Sequence, residues 1–331
     1  MLPPFKNSIF EINNENDFNE LAIRVFQYQY QHIEIYTRYV NQICKDIRNI
    51  THYSQIPFLP ISFFRTHPIL ATNKPAEAVF ESSGTTGSIK SHHYVSDLSI
   101  YKKSALLSFE RCYGAVSDYI FLALLPSYLE RNNSSLVWMA RLFMQESKYS
   151  SDCGFYLNNY DELLEKLKKL SENNSPKIIL LGVSYALLDL AEKINFPLNN
   201  VIVMETGGMK GQRKEIIREE LHEILCQKMG VNFIHSEYGM TELLSQAYSN
   251  GKGIYKAPPW MKVLIRELND PFSYVASGRQ GGINIIDLAN INSCSFISTE
   301  DIGKTTSDGC FDVLGRFDYS DTRGCNLMIP D

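Results

Sequence analysis

At 331 residues, 44% hydrophobic and 21% charged, the chain has the makeup of a globular protein with ample material for a core, which excludes a disordered or fibrous polypeptide. Its 37 acidic and 32 basic side chains give a net charge of -5 with no Lys/Arg cluster, which argues against a nucleic-acid partner. The start "MLPPFKNSIFEINNENDF" lacks the features of a signal peptide, and Asp189 interrupts "IILLGVSYALLDLA" short of bilayer length, so the expectation is a cytoplasmic protein with no membrane span.

In chain order, "DFNELAIRVFQYQ" puts Phe18, Leu21, Ala22, Val25 and Phe26 on one helical face, with Asp17 and Glu20 as a capping box. "IPFLPISFF" (56–64) is apolar and Pro-punctuated and reads as an extended packing segment. The spacing predicts a helix over 161–174, a buried strand over 177–183, a helix over 184–194 and a second strand over 201–208. Such alternation predicts a parallel sheet covered by helices on both faces. "QRKEIIREELHEILCQKMG" adds a helix with Ile216, Ile217, Leu221, Ile224 and Leu225 inward and Gly230 as its stop, followed by a short strand over 231–235. After about residue 260, "MKVLIREL", "GINIIDL", "CSFIS" and "CFDVLG" read as short strands of a smaller, mainly antiparallel section. No repeat or linker divides the chain, so one unit is expected, with an α/β region over about 1–260 and a β-rich region over about 261–331.

The seven cysteines, Cys44, Cys112, Cys153, Cys226, Cys294, Cys310 and Cys325, show no CxxC and no zinc spacing, which fits reduced thiols. The most unusual stretch is "FESSGTTGSIKS" (80–91). Gly84 and Gly87 allow close backbone approach, Ser82, Ser83, Thr85, Thr86 and Ser88 supply hydroxyls, and Lys90 supplies charge, a combination suited to polyphosphate. It is neither a Walker loop, because Ile89 precedes the lysine, nor GxGxxG. Taken alone, the same residues also suit a polar surface loop.

Its companions decide between these readings. "SSGTTGSIK" resembles the phosphate loop of the adenylate-forming superfamily of acyl-CoA synthetases, peptide-synthetase adenylation domains and luciferases, and four further segments match in order. "TGGMKG" (206–211) is similar to the glycine pair whose backbone lies along adenine, which implies Gly207, Gly208 and Met209 as nucleotide contacts. "EYGMTE" (237–242) resembles the Tyr-Gly-x-Thr-Glu motif, "STEDIG" (298–303) the segment with the ribose-binding aspartate, and "GRFD" (315–318) the hinge-proximal Gly-Arg-x-Asp. The resemblance implies an α/β fold of layered αβαβα sheets with ATP and Mg²⁺ as cofactors.

The residue chemistry agrees. Tyr238, beside Gly239, offers an aromatic face for a purine, or fills core. Thr241 can donate to the α-phosphate, and Glu242 can hold Mg²⁺ or simply start a helix. Asp301 can accept from both ribose hydroxyls and Arg316 can reach the sugar or a phosphate, the alternative being a surface ion pair between them. Lys90 is the expected charge-neutralising catalytic residue. His235 can orient a substrate carboxylate or sit as a core histidine.

Asp331 follows Asp318 by thirteen residues, where most of the superfamily continues into a lid domain of about a hundred residues carrying a catalytic lysine. The expectation is that the lid is absent. In this respect, and in "IPFLPISFFR", "PSYLERNNSSLVWMARLF" (126–143) and "TRGCNLMI" (322–329), the chain resembles the acyl-protein synthetase (LuxE-like) family. That resemblance implies activation of a fatty or other carboxylic acid as acyl-adenylate, then thioester formation on Cys325. A free thiol is roughly a tenth ionised or less near neutral pH, and in an extended "TRGCN" the Arg323 guanidinium shares a side with Cys325 and favours its thiolate. Alternatives are transfer to CoA or a carrier protein with Cys325 an incidental buried thiol, and a nucleotide-binding scaffold without catalysis.

Overall fold

The computed structural model describes residues 6–71, 74–82, 89–126, 133–172, 176–208, 213 and 216–317. Helices are α1 (Glu15–His32), α2 (Glu34–Ile43), α3 (Phe63–Thr66), α4 (Leu98–Tyr113), α5 (Ser135–Glu146), α6 (Tyr160–Glu172), α7 (Ser184–Ala191) and α8 (Arg218–Met229). Strands are β1 (Leu59–Pro60), β2 (Ala78–Glu81), β3 (His92–Val95), β4 (Tyr119–Leu124), β5 (Gly154–Tyr156), β6 (Lys177–Val183) and β7 (Val201–Thr206). They continue as β8 (His235–Tyr238), β9 (Ala247–Ser249), β10 (Ile254–Tyr255), β11 (Met261–Arg266), β12 (Gly281–Asp287), β13 (Phe296–Thr305) and β14 (Phe311–Arg316).

A first sheet has the order β5-β4-β6-β7-β8-β9, parallel as far as β8 with β9 antiparallel at its edge. The unbroken apolar runs dictate this: every residue of β4 is buried, and so is β6 after Lys177, as expected of strands covered on both faces. A second sheet runs β10-β14-β13-β12-β11 with antiparallel pairing, and β1 adds to β13 in parallel, Leu59 opposite Ile297. The layers are α7/α8, first sheet, α4/α5, second sheet and α1/α2, which is the expected αβαβα arrangement. On the first face Glu205 meets Ser184 of α7 and Arg218 of α8. Between the sheets, the Trp260 indole donates to Ser104 of α4 and to Ser245. On the second sheet, Phe26 and Tyr36 pack on Phe296.

Several local expectations shift. Helix α1 begins at Glu15 because the Asn14 side chain accepts from Asp17 N, so Asp17 lies inside the first turn and is not its cap. The segment 56–64 is not extended throughout, since Phe63 opens the short helix α3. Helix α8 starts at Arg218, leaving Ile217 67% exposed, while Gly230 ends it in the left-handed conformation at φ 66° as expected. The strand expected over 231–235 starts only at His235, because its register on β7 pairs Met204 with His235 and Thr206 with Glu237. Among the described residues no helix is long and apolar enough to cross a membrane.

Arg218 links the layers. Its Nε donates to buried Glu205 at 3.3 Å and its Nη1 to the carbonyl of Val313 on β14 at 2.6 Å. Burial by itself works to raise the Glu205 carboxyl, yet the His222 hydrogen bond and the Arg218 charge hold it below the usual range. Arg218→Met leaves that carboxylate buried without its guanidinium, and urea unfolding is expected to show a loss of about 3 kcal/mol. A loss under about 1 kcal/mol would place the pair with ordinary surface bridges.

Candidate active site

The carboxyl end of β8 meets the β13–β14 hairpin directly, Tyr238 reaching Asp301 and packing on Phe311, with the end of β7 beside it. After β7 the chain turns through Gly207 at φ 70°, a left-handed conformation that favours glycine. Among the described residues a Cβ on Gly208 would meet nothing within 4 Å, so no described side chain packs on the main chain there. Met209 lies outside the described residues.

From β8, the Tyr238 hydroxyl donates to Asp301 Oδ2 at 2.8 Å, and Arg316 Nε donates to Asp301 Oδ1 at 3.0 Å. The pairing of Asp301 with Arg316 across β13 and β14 fixes that contact. Three residues far apart in sequence thus meet on one carboxylate that is 5% exposed. An ionised carboxylate has about four acceptor positions, so two bonds leave room for a ligand's hydroxyls. The Tyr238 ring is only 8% exposed and packs edge-on against Phe311 at 5.3 Å, with Tyr255 at 5.7 Å. Core filling is therefore part of its role. Burial, with the Asp301 charge added, pushes its phenol well above the ordinary range, and Asp301 likewise raises the Arg316 guanidinium.

Beyond β8, Thr241 is partly buried and Glu242 is 4% exposed. Burial pushes the Glu242 carboxyl up, against a hydrogen bond from the Ser91 side chain and the nearby positive charges of Arg316 and Arg65. The apolar run "IPFLPISFFR" hid Arg65 as a site residue; it bonds both oxygens of Glu300 at 3.1 and 3.2 Å, next to Asp301. Among the described residues no cluster of three or more His, Cys, Asp or Glu forms, so Glu242 stands as a single buried carboxylate. One carboxylate supplemented by phosphate oxygens suits Mg²⁺, which keeps few protein ligands, so the residues fit that ion.

The loop 80–91 joins β2 to β3, antiparallel neighbours paired Glu81 to His92. Its root is closed by Ser91 N donating to Ser82 Oγ at 2.9 Å and by Ser82 N donating to the Ser91 carbonyl at 3.0 Å. Lys90 donates to Glu81 Oε2 at 2.8 Å, and Asn133 holds the other Glu81 oxygen. The Lys90 hydrogen bond lowers the Glu81 carboxyl below its usual range. Ser83, Gly84, Thr85, Thr86, Gly87 and Ser88 lie outside the described residues, as does Cys325.

His235 opens β8, at the far end from Tyr238, with its Nδ1 3.1 Å from the Tyr113 hydroxyl. Burial pushes the thiols of Cys112, Cys153, Cys226, Cys294 and Cys310 up, Cys294 to about 12, so none of these five is a ready thiolate. Glu237, ahead of the tyrosine in "EYGMTE", is a buried strand residue 6% exposed. Its carboxyl takes the Thr206 hydroxyl, and a Cβ on Gly239 would lie 2.4 Å from its Oε1, so a side chain at 239 would force that carboxyl to shift.

Burial raises the Glu237 carboxyl from 4.5 to about 7, with Glu205 adding to the rise and Thr206 opposing it. Below pH 4.5 both folded and unfolded forms hold the proton. Between there and pH 7 only the folded form does, so stability falls as pH rises and the loss is complete above pH 7. Glu237→Gln removes this loss: relative to the unsubstituted protein it should gain about 2–4 kcal/mol on going from pH 5 to pH 8 in urea unfolding. Parallel stability curves for the two proteins would contradict this.

A family model described as "Acyl-protein synthetase, LuxE" matches residues 4–331. No curated protein matches. Among solved structures, an ATP-bound RpMatB-BxBclM chimera aligns at 17% identity with a TM-score of 0.55, over 74% of this chain and 49% of that one. ATP-bound MatB from Rhodopseudomonas palustris aligns at 16% with a TM-score of 0.54, over 74% and 50%. An open conformation of 2-hydroxyisobutyryl-CoA ligase with 2-HIB-AMP and CoA aligns at 12% with a TM-score of 0.68, over 92% and 70%. The chain spans about half the length of the first two, and the likeness is one of fold: that of adenylate-forming enzymes.

Proposed function

The chain belongs to the acyl-protein synthetase LuxE family, and on that footing we propose that it activates a carboxylic acid with ATP and then carries the acyl group as a thioester on Cys325 to an acyl-accepting partner. A fatty acid is the substrate of choice. The observation that carries the reading is the meeting of Tyr238 and Arg316 on the buried Asp301 carboxylate, with the Arg316 charge also near Glu242.

In the first step an ionised carboxylate oxygen attacks the α-phosphorus of ATP, the bond to the β-phosphate bridging oxygen breaks, and pyrophosphate leaves with the electron pair. No base is needed, so the protein's work is placement and charge neutralisation. Asp301 accepts from the ribose, the main chain at Gly207 and Gly208 lies along the base, and Thr241 donates to the α-phosphate. Lys90 exchanges Glu81 for a phosphate oxygen, and Arg65 and Arg316 add positive charge. Mg²⁺, when bound through Glu242, supplies further neutralisation of the phosphates. In the second step the Cys325 thiolate attacks the acyl carbon, the carbon–oxygen bond to AMP breaks, and AMP departs; the thiol proton goes to solvent. The raised thiols of Cys112, Cys153, Cys226, Cys294 and Cys310 support Cys325 as acceptor.

Labelled pyrophosphate exchange into ATP, run with acids of graded chain length, tests the reading together with labelled acid on denatured protein. Acid-dependent exchange and a protein-bound label released by hydroxylamine are expected. Exchange without label, with acyl-CoA or acyl-carrier formed instead, would indicate a ligase that does not acylate itself. No exchange with any acid would indicate a nucleotide-binding scaffold.

A further inference from the structure

The turn that carries Thr241 and Glu242 is held by side chains from elsewhere in the fold. His93 on β3 donates from Nδ1 to the Thr241 carbonyl at 2.8 Å, and Asn290 donates from Nδ2 to the Glu242 carbonyl at 2.7 Å. Asp287, at the end of β12, accepts from Leu244 N at 2.9 Å, Ser245 N at 3.0 Å and the Ser245 hydroxyl at 2.6 Å. All three side chains are 0% exposed. Four main-chain groups within residues 241–245 are therefore fixed by buried hydrogen bonds, which a substitution cannot replace with water.

His93 has a second connection. Its bond to a carbonyl requires Nδ1 to carry the proton, and Nε2 has no partner among the described residues. Just ahead of β3, Ser91 lies close enough to Glu242 for its side chain to lower that carboxyl, and its main chain closes the Ser82 loop. The hairpin bearing Lys90 and the turn bearing Glu242 thus meet at His93 on β3 and at Ser91 just ahead of it.

We propose that His93, Asn290 and Asp287 are positioning residues for acyl-adenylate formation, holding Thr241 and Glu242 in register with the Lys90 hairpin. None touches the reacting atoms; each acts through the main chain of the turn. The assignment rests on the proposed adenylation, but its geometry can be tested apart from it.

His93→Leu keeps volume and loses the donor, whereas His93→Asn keeps an N–H at the δ position. The leucine variant is expected to lower kcat for acid-dependent pyrophosphate exchange by about 10–100-fold with KM for the acid little changed, and the asparagine variant to recover most of the rate. Amide hydrogen exchange in residues 240–246 should rise in His93→Leu and return in His93→Asn. If His93→Leu does not fold, Asn290→Leu takes its place with the same two readouts. A folded donor-less variant with unchanged rate and unchanged amide protection would overturn the proposal, as would His93→Asn performing no better than His93→Leu. Should the unsubstituted protein exchange with no acid at all, the adenylation reading fails, while the amide protection still decides whether these side chains hold the turn.

Discussion

Glu242→Gln is expected to lower acid-dependent pyrophosphate exchange by about 100–1000-fold while the protein stays folded. The amide has the shape of the carboxyl and can still take the hydrogen bond from the Ser91 side chain. What it loses is the negative charge. Because burial already pushes this carboxyl up, the charge is costly to the folded protein, so its removal should leave the urea midpoint unchanged or higher. Loss of rate with gain of stability separates a residue retained for chemistry from one retained for packing. The residual activity should need more Mg²⁺, since phosphate oxygens alone would then hold the ion. An unchanged rate would reduce Glu242 to a buried structural acid and leave the proposed ion without a protein ligand.

Cys325→Ser should divide the proposed reaction in two. Pyrophosphate exchange is expected to continue at the unsubstituted rate, because the first step involves only the acid, ATP and the residues around Asp301. Labelling of the protein by radioactive acid should disappear, since a hydroxyl near neutral pH offers almost no anion where a thiol offers roughly a tenth or less. Serine differs from cysteine by one atom, so a fall in exchange would implicate Cys325 in the first step itself. Label persisting at full yield would move the acceptor to another residue. Cys44, partly buried, would then be the next to substitute.

Much of this architecture was legible because the responsible signal is local. The run "KIILLGV" has no polar face to turn to solvent, so it forms a central parallel strand, and β6 spans the expected residues. Gly230 stops α8 because the left-handed turn there favours glycine. The site motifs were legible in outline through their resemblance and residue chemistry, but their setting depends on long-range pairing. Glu237 and Tyr238 look like the start of a polar turn; the register on β7 draws them into the strand and buries them. Arg65 is 235 residues from Glu300 in sequence, and His93 is 148 from Thr241, so no local pattern could associate them. Ile217 fitted the helical periodicity and yet is exposed, because periodicity does not report where the helix starts.

A crystal structure with a non-hydrolysable acyl-sulfamoyl adenosine gives the most direct view of whether Asp301 is a nucleotide ligand. Both ribose hydroxyls are predicted within about 2.5–3.0 Å of its carboxylate oxygens, with the base along Gly207 and Gly208 and the sulfamoyl group at Thr241. A mimic bound at another surface, with Asp301 engaged only by Tyr238 and Arg316, would contradict the assignment of this site.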